Sequence, residues 1–378
     1  MDALLEHARE NVAGLTELCR ELVECESPNG DAAAIGRFVE LVADRLSGLG
    51  RVRTYPGGRY GPHLQCELDL PGHNKDGRIM CLGHSDTVWP IGTLKTMPYR
   101  DDGVALHGPG VLDMKAGIAM FVFAARALCD LGIKVRRNVV LQLNSDEETG
   151  SESSRALTEE TARRSNAVLV LEPAEGLEGR LKTARKGIGE YTVRVYGRAA
   201  HSGLNFTAGA NAIVELARQI EVIAGFSDPA SGITVNAGVI SGGSRVNVVA
   251  AEARVECDLR VVALEQAAEI DRKFHALKPF DSRCRIEVAG GLNRPPMERR
   301  AAEGLYALAR KAAGELGISI GEALSGGGSD GNFTAALGIP TLDGLGPVGD
   351  GAHAAHENVI IERLPERTAL LAKLIQAI

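Results

Sequence analysis

Three apolar runs in this 378-residue chain end in residues able to hold a cation or move a proton. Ile79-Met80-Cys81-Leu82-Gly83 leads into His84-Ser85-Asp86. Val139-Val140-Leu141-Gln142-Leu143 leads into Asn144-Ser145-Asp146-Glu147-Glu148-Thr149-Gly150. Ala167-Val168-Leu169-Val170-Leu171 ends at Glu172-Pro173. Adjacent glutamates at the end of an apolar strand are unfavourable unless a cation compensates them. Taken alone, that stretch equally suits an exposed acidic turn capping the next helix. Its coincidence with His84 and Glu172 favours a shared site, and Asp113 and His353 join the candidates. Histidine nitrogen with carboxylate oxygen, and no thiolate, suits zinc or a similar divalent ion at a hydrolytic site. The crowded carboxylates would be relieved by two cations, which at such sites lie ~3.5–4 Å apart.

The elements that must carry these residues alternate. Apolar residues recur at helical spacing from Leu4 to Glu24. Ser27-Pro28-Asn29-Gly30 breaks the pattern, and Asp31 opens a helix to about Leu46. Leu64–Leu70 alternates like a strand. Asp113 precedes a helix over Ala116–Leu131, and another starts at Ser153. This predicts an α/β layer with a mostly parallel central sheet, whose ligands bind beyond the carboxyl ends of the strands. From about residue 181 the texture changes. Strands Glu190–Tyr196, Thr234–Ile240, Arg254–Val262 and Arg285–Ala289, with helices Asn211–Ile223 and Leu264–Leu277, give the order β-α-β-β-α-β of a ferredoxin-like α+β unit. We read it as an insertion over 181–292 in a first domain made of 1–180 and 293–378. Helix Ala302–Leu316, strand Thr341–Leu345 and a helix from about Glu362 complete that domain.

Composition narrows the function classes. The chain is 44% hydrophobic and 24% charged with a net charge of -7, as expected of a globular protein. Its arginines are scattered, with no basic stripe, so nucleic acid is not the expected partner. No apolar run approaches the ~20 residues of a membrane span. The start, Met1-Asp2-Ala3-Leu4-Leu5-Glu6-His7, does not read as a signal peptide. Seven cysteines without a Cys-x-x-Cys pair suit a reducing compartment, so a cytoplasmic location is expected.

Gly83-His84-Ser85-Asp86-Thr87-Val88, then Gly108-Pro109-Gly110-Val111-Leu112-Asp113-Met114-Lys115-Ala116-Gly117, then Asp146-Glu147-Glu148-Thr149-Gly150-Ser151, resemble the co-catalytic zinc peptidases. That family includes the glutamate carboxypeptidases of the carboxypeptidase G type, acetylornithine deacetylase and succinyl-diaminopimelate desuccinylase. The likeness leans to the glutamate carboxypeptidase branch. Ala199-Ala200-His201-Ser202-Gly203, Gly326-Gly327-Gly328-Ser329-Asp330 and Gly351-Ala352-His353 extend it over nearly the whole chain.

The resemblance implies roles. Asp113 bridges two zinc ions (or cobalt or manganese); His84 and Glu172 complete one site, Glu148 and His353 the other. Glu147 is the general base, and Asp86 orients His84. His201 serves the neighbouring subunit's site in a homodimer formed through the inserted lid. Asn247, Arg260, Arg294 and Gly327 bind substrate. The Asp113–Met114 bond is cis. His353, four residues before Glu357, is the ligand rather than His356. The implied reaction is amide hydrolysis releasing a C-terminal acidic amino acid from a small peptide or N-acyl substrate. The alternative is deacylation of small N-acyl amino acids such as N-acetylornithine.

Overall fold

The strand Arg78–His84 lies inside a six-stranded sheet. Across the sheet the order is Gly50–Tyr55, His63–Leu68, Asn138–Asn144, Arg78–His84, Ala167–Val170 and Thr341–Leu342. The last four are parallel, and His63–Leu68 alone runs against its neighbours. The sheet is therefore mixed but mostly parallel. Its parallel strands are buried on both faces, which explains their unbroken apolar runs. Met80, Leu82, Val140, Val168 and Val170 pack on one face with Ala162 of helix Arg155–Arg163. Helix Ala116–Asp130 is buried along nearly its whole length and packs against the helix Leu364–Ala377.

The computed structural model describes residues 2–378, and the chain forms two compact units. One comprises residues up to Ala184 with Glu298–Ser325 and Ser329–Ile378; the other comprises Arg185–Met297 with Gly326–Gly328. The second unit holds strands Gly187–Tyr196, Thr234–Gly242, Glu252–Val261 and Arg285–Arg294 with helices Ala212–Ala224 and Leu264–His275. Its antiparallel sheet has the order Thr234–Gly242, Glu252–Val261, Gly187–Tyr196, Arg285–Arg294. Tyr191 stacks on Phe274 at 4.0 Å in its core, beside Val193, Leu216 and Leu259.

Four features differ from the sequence reading. The Leu4–Glu24 pattern is two helices, Ala3–Glu10 and Val12–Glu24, because Asn11 donates its side-chain amide to the His7 carbonyl (2.9 Å) and leaves the helical conformation. Strand Gly50–Tyr55 has no buried residue, so no apolar alternation marks it. The strand expected over Thr341–Leu345 stops at Leu342, two residues before Gly344 turns with φ 73°. Arg294 and Gly327, placed by sequence in the second stretch of the first domain, belong to the inserted unit. The last strand continues through a bulge to pair Arg294 with Ile188, and Arg185 donates to the carbonyls of Gly327 (3.1 Å) and Gly328 (2.9 Å).

Candidate metal centre

Strand register brings the candidates together. Asn138–Asn144 and Ala167–Val170 flank Arg78–His84, with His84 opposite Asn144 and Leu82 opposite Val170. Their carboxyl ends are thus level, and His84, the Glu147–Glu148 turn and Glu172 emerge side by side. Asp113 comes from the turn before helix Ala116–Asp130, and the Asp113–Met114 bond is cis. Gly110 shapes that turn: with φ 73°, and with Thr87 Cγ2 2.6 Å from where a Cβ would stand, only glycine fits there.

Two clusters result, His84–Asp113–Glu172 and Asp113–Glu148–His353, with the potential ligand atoms of each within 4.8 Å of one another. Asp113 gives one oxygen to each. Its Oδ1 is 3.0 Å from His84 Nε2, and its Oδ2 is 3.4 Å from His353 Nε2. His84 Nε2 is also 3.4 Å from Glu172, and His353 Nε2 is 3.3 Å from Glu148. Glu147 belongs to neither cluster, and His356 faces Asp350 at 3.9 Å. All of these residues lie in the first unit.

Asp86 is 1% exposed and does more than face His84. Its carbonyl accepts from His84 Nδ1 (2.9 Å), which points Nε2 at the carboxylates. Its carboxylate lies 3.4 Å from that Nδ1 and accepts the backbone N–H groups of Glu147 (3.2 Å) and Glu148 (3.0 Å). One buried residue therefore sets both a histidine, through its carbonyl, and the adjacent glutamates, through its carboxylate.

The electrostatics call for a cation. Burial would lower His84, but Asp113, Asp86 and Glu172 outweigh it and hold the ring well above its ordinary value. Hydrogen bonds to Asp113 and Glu148 raise His353 to about 10. Burial would raise Asp113, yet the two histidines hold its carboxyl well below the usual range. Burial dominates at Glu148 and raises it. The imidazoles are drawn toward their charged forms because negative charge is in excess. A divalent ion would take the place of those protons on the same nitrogen and oxygen atoms, so the donor set fits zinc chemistry.

Two supporting residues were not singled out as functional in the sequence. Glu357 is fully buried and accepts from Trp89 Nε1 and from the N–H groups of Gly110, Leu112 and Asp113, at 2.9–3.1 Å. Its only sequence signal was its spacing from His353. We expect Glu357→Ala to leave the buried Gly110 and Leu112 N–H groups unpaired, with two half-buried donors, and to destabilise the chain by about 3 kcal/mol. Urea unfolding checks this, and metal analysis should show weakened uptake in the same variant. Lys115, two residues past Asp113, donates to the Cys25 carbonyl at 3.0 Å, and burial lowers it to about 8.

The remaining candidates lie in the second unit. Arg260 and Arg294 pair with Ile188 from opposite sides, which sets both at one end of the sheet. A Cβ on Gly328 would stand 2.6 Å from Ile188 and 3.2 Å from Arg294, so the glycine stretch passes over the same spot. Arg260 Nε bonds Asp258 at 2.9 Å. The Asn247 carbonyl accepts from Ser202 N–H at 3.0 Å, beside exposed His201. His201 Nδ1 accepts from Gly203 and Leu204 N–H, both at 3.1 Å, which leaves Nε2 as its donor.

Known proteins resemble this chain along most of its length. The model of peptidase family M20/M25/M40 matches residues 80–377. Carboxypeptidase G2 of Pseudomonas sp. is 27% identical over 99% of this chain and 91% of its own length. A succinyl-diaminopimelate desuccinylase of Ectopseudomonas mendocina is 27% identical over 76% of this chain and 80% of its own. Among solved structures, the Bacillus subtilis YXEP protein, described as a dinuclear metal binding peptidase, superposes with TM-score 0.73 at 14% identity, covering 98% of each chain.

Proposed function

The chain belongs to peptidase family M20/M25/M40 and is a hydrolase, and on that premise we propose that it is a two-zinc amide hydrolase of the carboxypeptidase kind. The observation that carries the reading is the pair of clusters sharing Asp113, with Glu147 adjacent to a cluster residue but in neither. His84, Asp113 and Glu172 would hold one ion, and Asp113, Glu148 and His353 the other. Zinc, or cobalt or manganese in its place, would supply Lewis acidity toward the scissile carbonyl and the attacking water. Glu147 takes the proton of that water and delivers it to the leaving amine as the C–N bond breaks. Asp86 holds His84 and the Glu147 backbone for this work. His201, with Nε2 as donor, stabilises the carbonyl oxygen as it gains charge.

The released residue is a C-terminal, acidic amino acid. Two arginines at one end of the lid sheet, with backbone N–H groups of Gly327 and its neighbours and the Asn247 side chain, suit a substrate bearing two carboxylates. The desuccinylase relative supports the second reading, deacylation of a small N-acyl amino acid. Turnover of peptidyl-glutamate against N-acetylornithine, with and without zinc, decides between them. We expect the glutamyl substrate to be preferred by at least tenfold in kcat/KM; the reverse order would favour the deacylase.

The active form is a cytoplasmic homodimer joined through the lid. Thr234–Gly242 is an edge strand exposing Val239 and Ile240, and Ile213, Val214 and Val222 are exposed on helix Ala212–Ala224. His201 then acts in the neighbouring subunit. Mixing inactive His201→Ala and Glu147→Ala chains should recover part of the wild-type activity in the hybrids. Hybrids that form without recovery would show that His201 acts within its own chain or not at all.

A further inference from the structure

The turn carrying Glu147 and Glu148 is clamped by a histidine from outside both clusters. His63 begins the one strand that runs against the rest of the sheet, and it is 1% exposed. Its Nδ1 lies 3.1 Å from the backbone N of Ser145 and 2.9 Å from Ser145 Oγ. A backbone N–H can only donate, so Nδ1 must be the acceptor and the ring proton sits on Nε2. Nε2 then donates to Ser153 Oγ at 3.2 Å. The Ser153 hydroxyl donates onward to Asp146 Oδ2 at 2.7 Å, and the Ser153 N–H reaches the same oxygen at 2.6 Å. The chain of donors runs one way, from Ser145 through the ring to Asp146. It grips residues 145, 146 and 153, on both sides of the two glutamates.

We propose that His63, as the neutral Nε2–H tautomer, is a positioning residue for the Glu147–Glu148 turn. It rests on the reading of Glu147 as base and Glu148 as ligand. Asp86 fixes the backbone of the glutamates from one side, and His63 fixes the ends of their turn from another. A doubly protonated ring would set a donor against the Ser145 N–H and open the clamp. Burial keeps the ring neutral by lowering its proton affinity, against the opposing pull of Asp146, Asp330 and Asp86. A phenyl ring, somewhat larger and without nitrogens, would fill the space and leave the turn ungripped.

The test compares His63→Phe, His63→Asn and Ser153→Ala with wild type in cobalt titration, kcat, KM and thermal unfolding. Supporting groups of this kind change metal affinity or activity 10–100-fold when removed. We expect His63→Phe to lower kcat and the affinity for the weaker ion by roughly that factor, with KM within about threefold. His63→Asn, whose Oδ1 can take the Ser145 N–H, should regain at least tenfold of the loss in kcat. His63→Phe that folds with wild-type kcat and cobalt affinity overturns the proposal. So does a His63→Asn no better than His63→Phe, because packing alone would then account for the effect. If His63→Phe does not fold, Ser153→Ala decides: a fall in kcat at unchanged KM supports the clamp, and wild-type kcat overturns it. Wild type that takes up no cobalt overturns the two-ion reading instead, and uptake by wild type separates the two failures.

Discussion

Glu147→Gln keeps its metal and loses its turnover. The amide matches the carboxylate in shape but cannot take a proton from water. General acid–base groups contribute on the order of 10²–10⁴ in rate, and kcat should fall by that factor with KM little changed. Glu147 lies in neither cluster, so metal analysis of the variant should match wild type. Its backbone bond to Asp86 (3.2 Å) is retained, which keeps Glu148 in place. Loss of both ions in this variant would mean that Glu147 is structural.

Asp113→Ala should strip both ions, whereas His353→Ala should strip one. The difference follows from Asp113 facing His84 with one oxygen and His353 with the other. Removing it deprives each cluster of the carboxylate they share and leaves only two potential ligands in each. His353 serves only the second cluster, and its side chain is 48% exposed, so the first cluster should persist without it. Activity should be lost in both variants. Metal analysis after gel filtration distinguishes them, and His356→Ala, whose ring faces Asp350, should keep both ions. A His353→Ala chain that retains both would place the ligand elsewhere in the loop.

The parts of this site that were legible in the sequence were those written locally. Three of the parallel strands announce themselves as apolar runs, and each of those runs stops where its candidate residue begins. The alignment of three such ends is not local. It depends on the pairing of Leu82 with Val170 and of His84 with Asn144, and no single stretch encodes that. Glu357 was noticed only for its spacing. What defines it is four donors drawn from Trp89 to Asp113, far away along the chain. His63 passed as the residue before an alternating strand, because a histidine's tautomer is fixed by neighbours in space. The Asn11 break was hidden by apolar spacing that continues across it. The last strand of the insertion, expected over Arg285–Ala289, runs on through Gly290 and Gly291 to Arg294.

Arg185 and Met297, at the two ends of the inserted segment, form an antiparallel bridge with mutual hydrogen bonds of 2.9 and 3.0 Å. The segment therefore leaves and returns through a closed neck. The rest of the chain is connected as if by a short turn, whatever lies beyond the neck. Loop-closure entropy grows only with the logarithm of loop length, and a neck already tied removes most of that dependence. Segments can then lengthen, shorten or be exchanged beyond Arg185 and Met297 without altering the register that aligns His84, Glu148 and Glu172. The framework that carries the two residue clusters and the unit beyond the neck are free to change at different rates, and variation in one need not re-found the other.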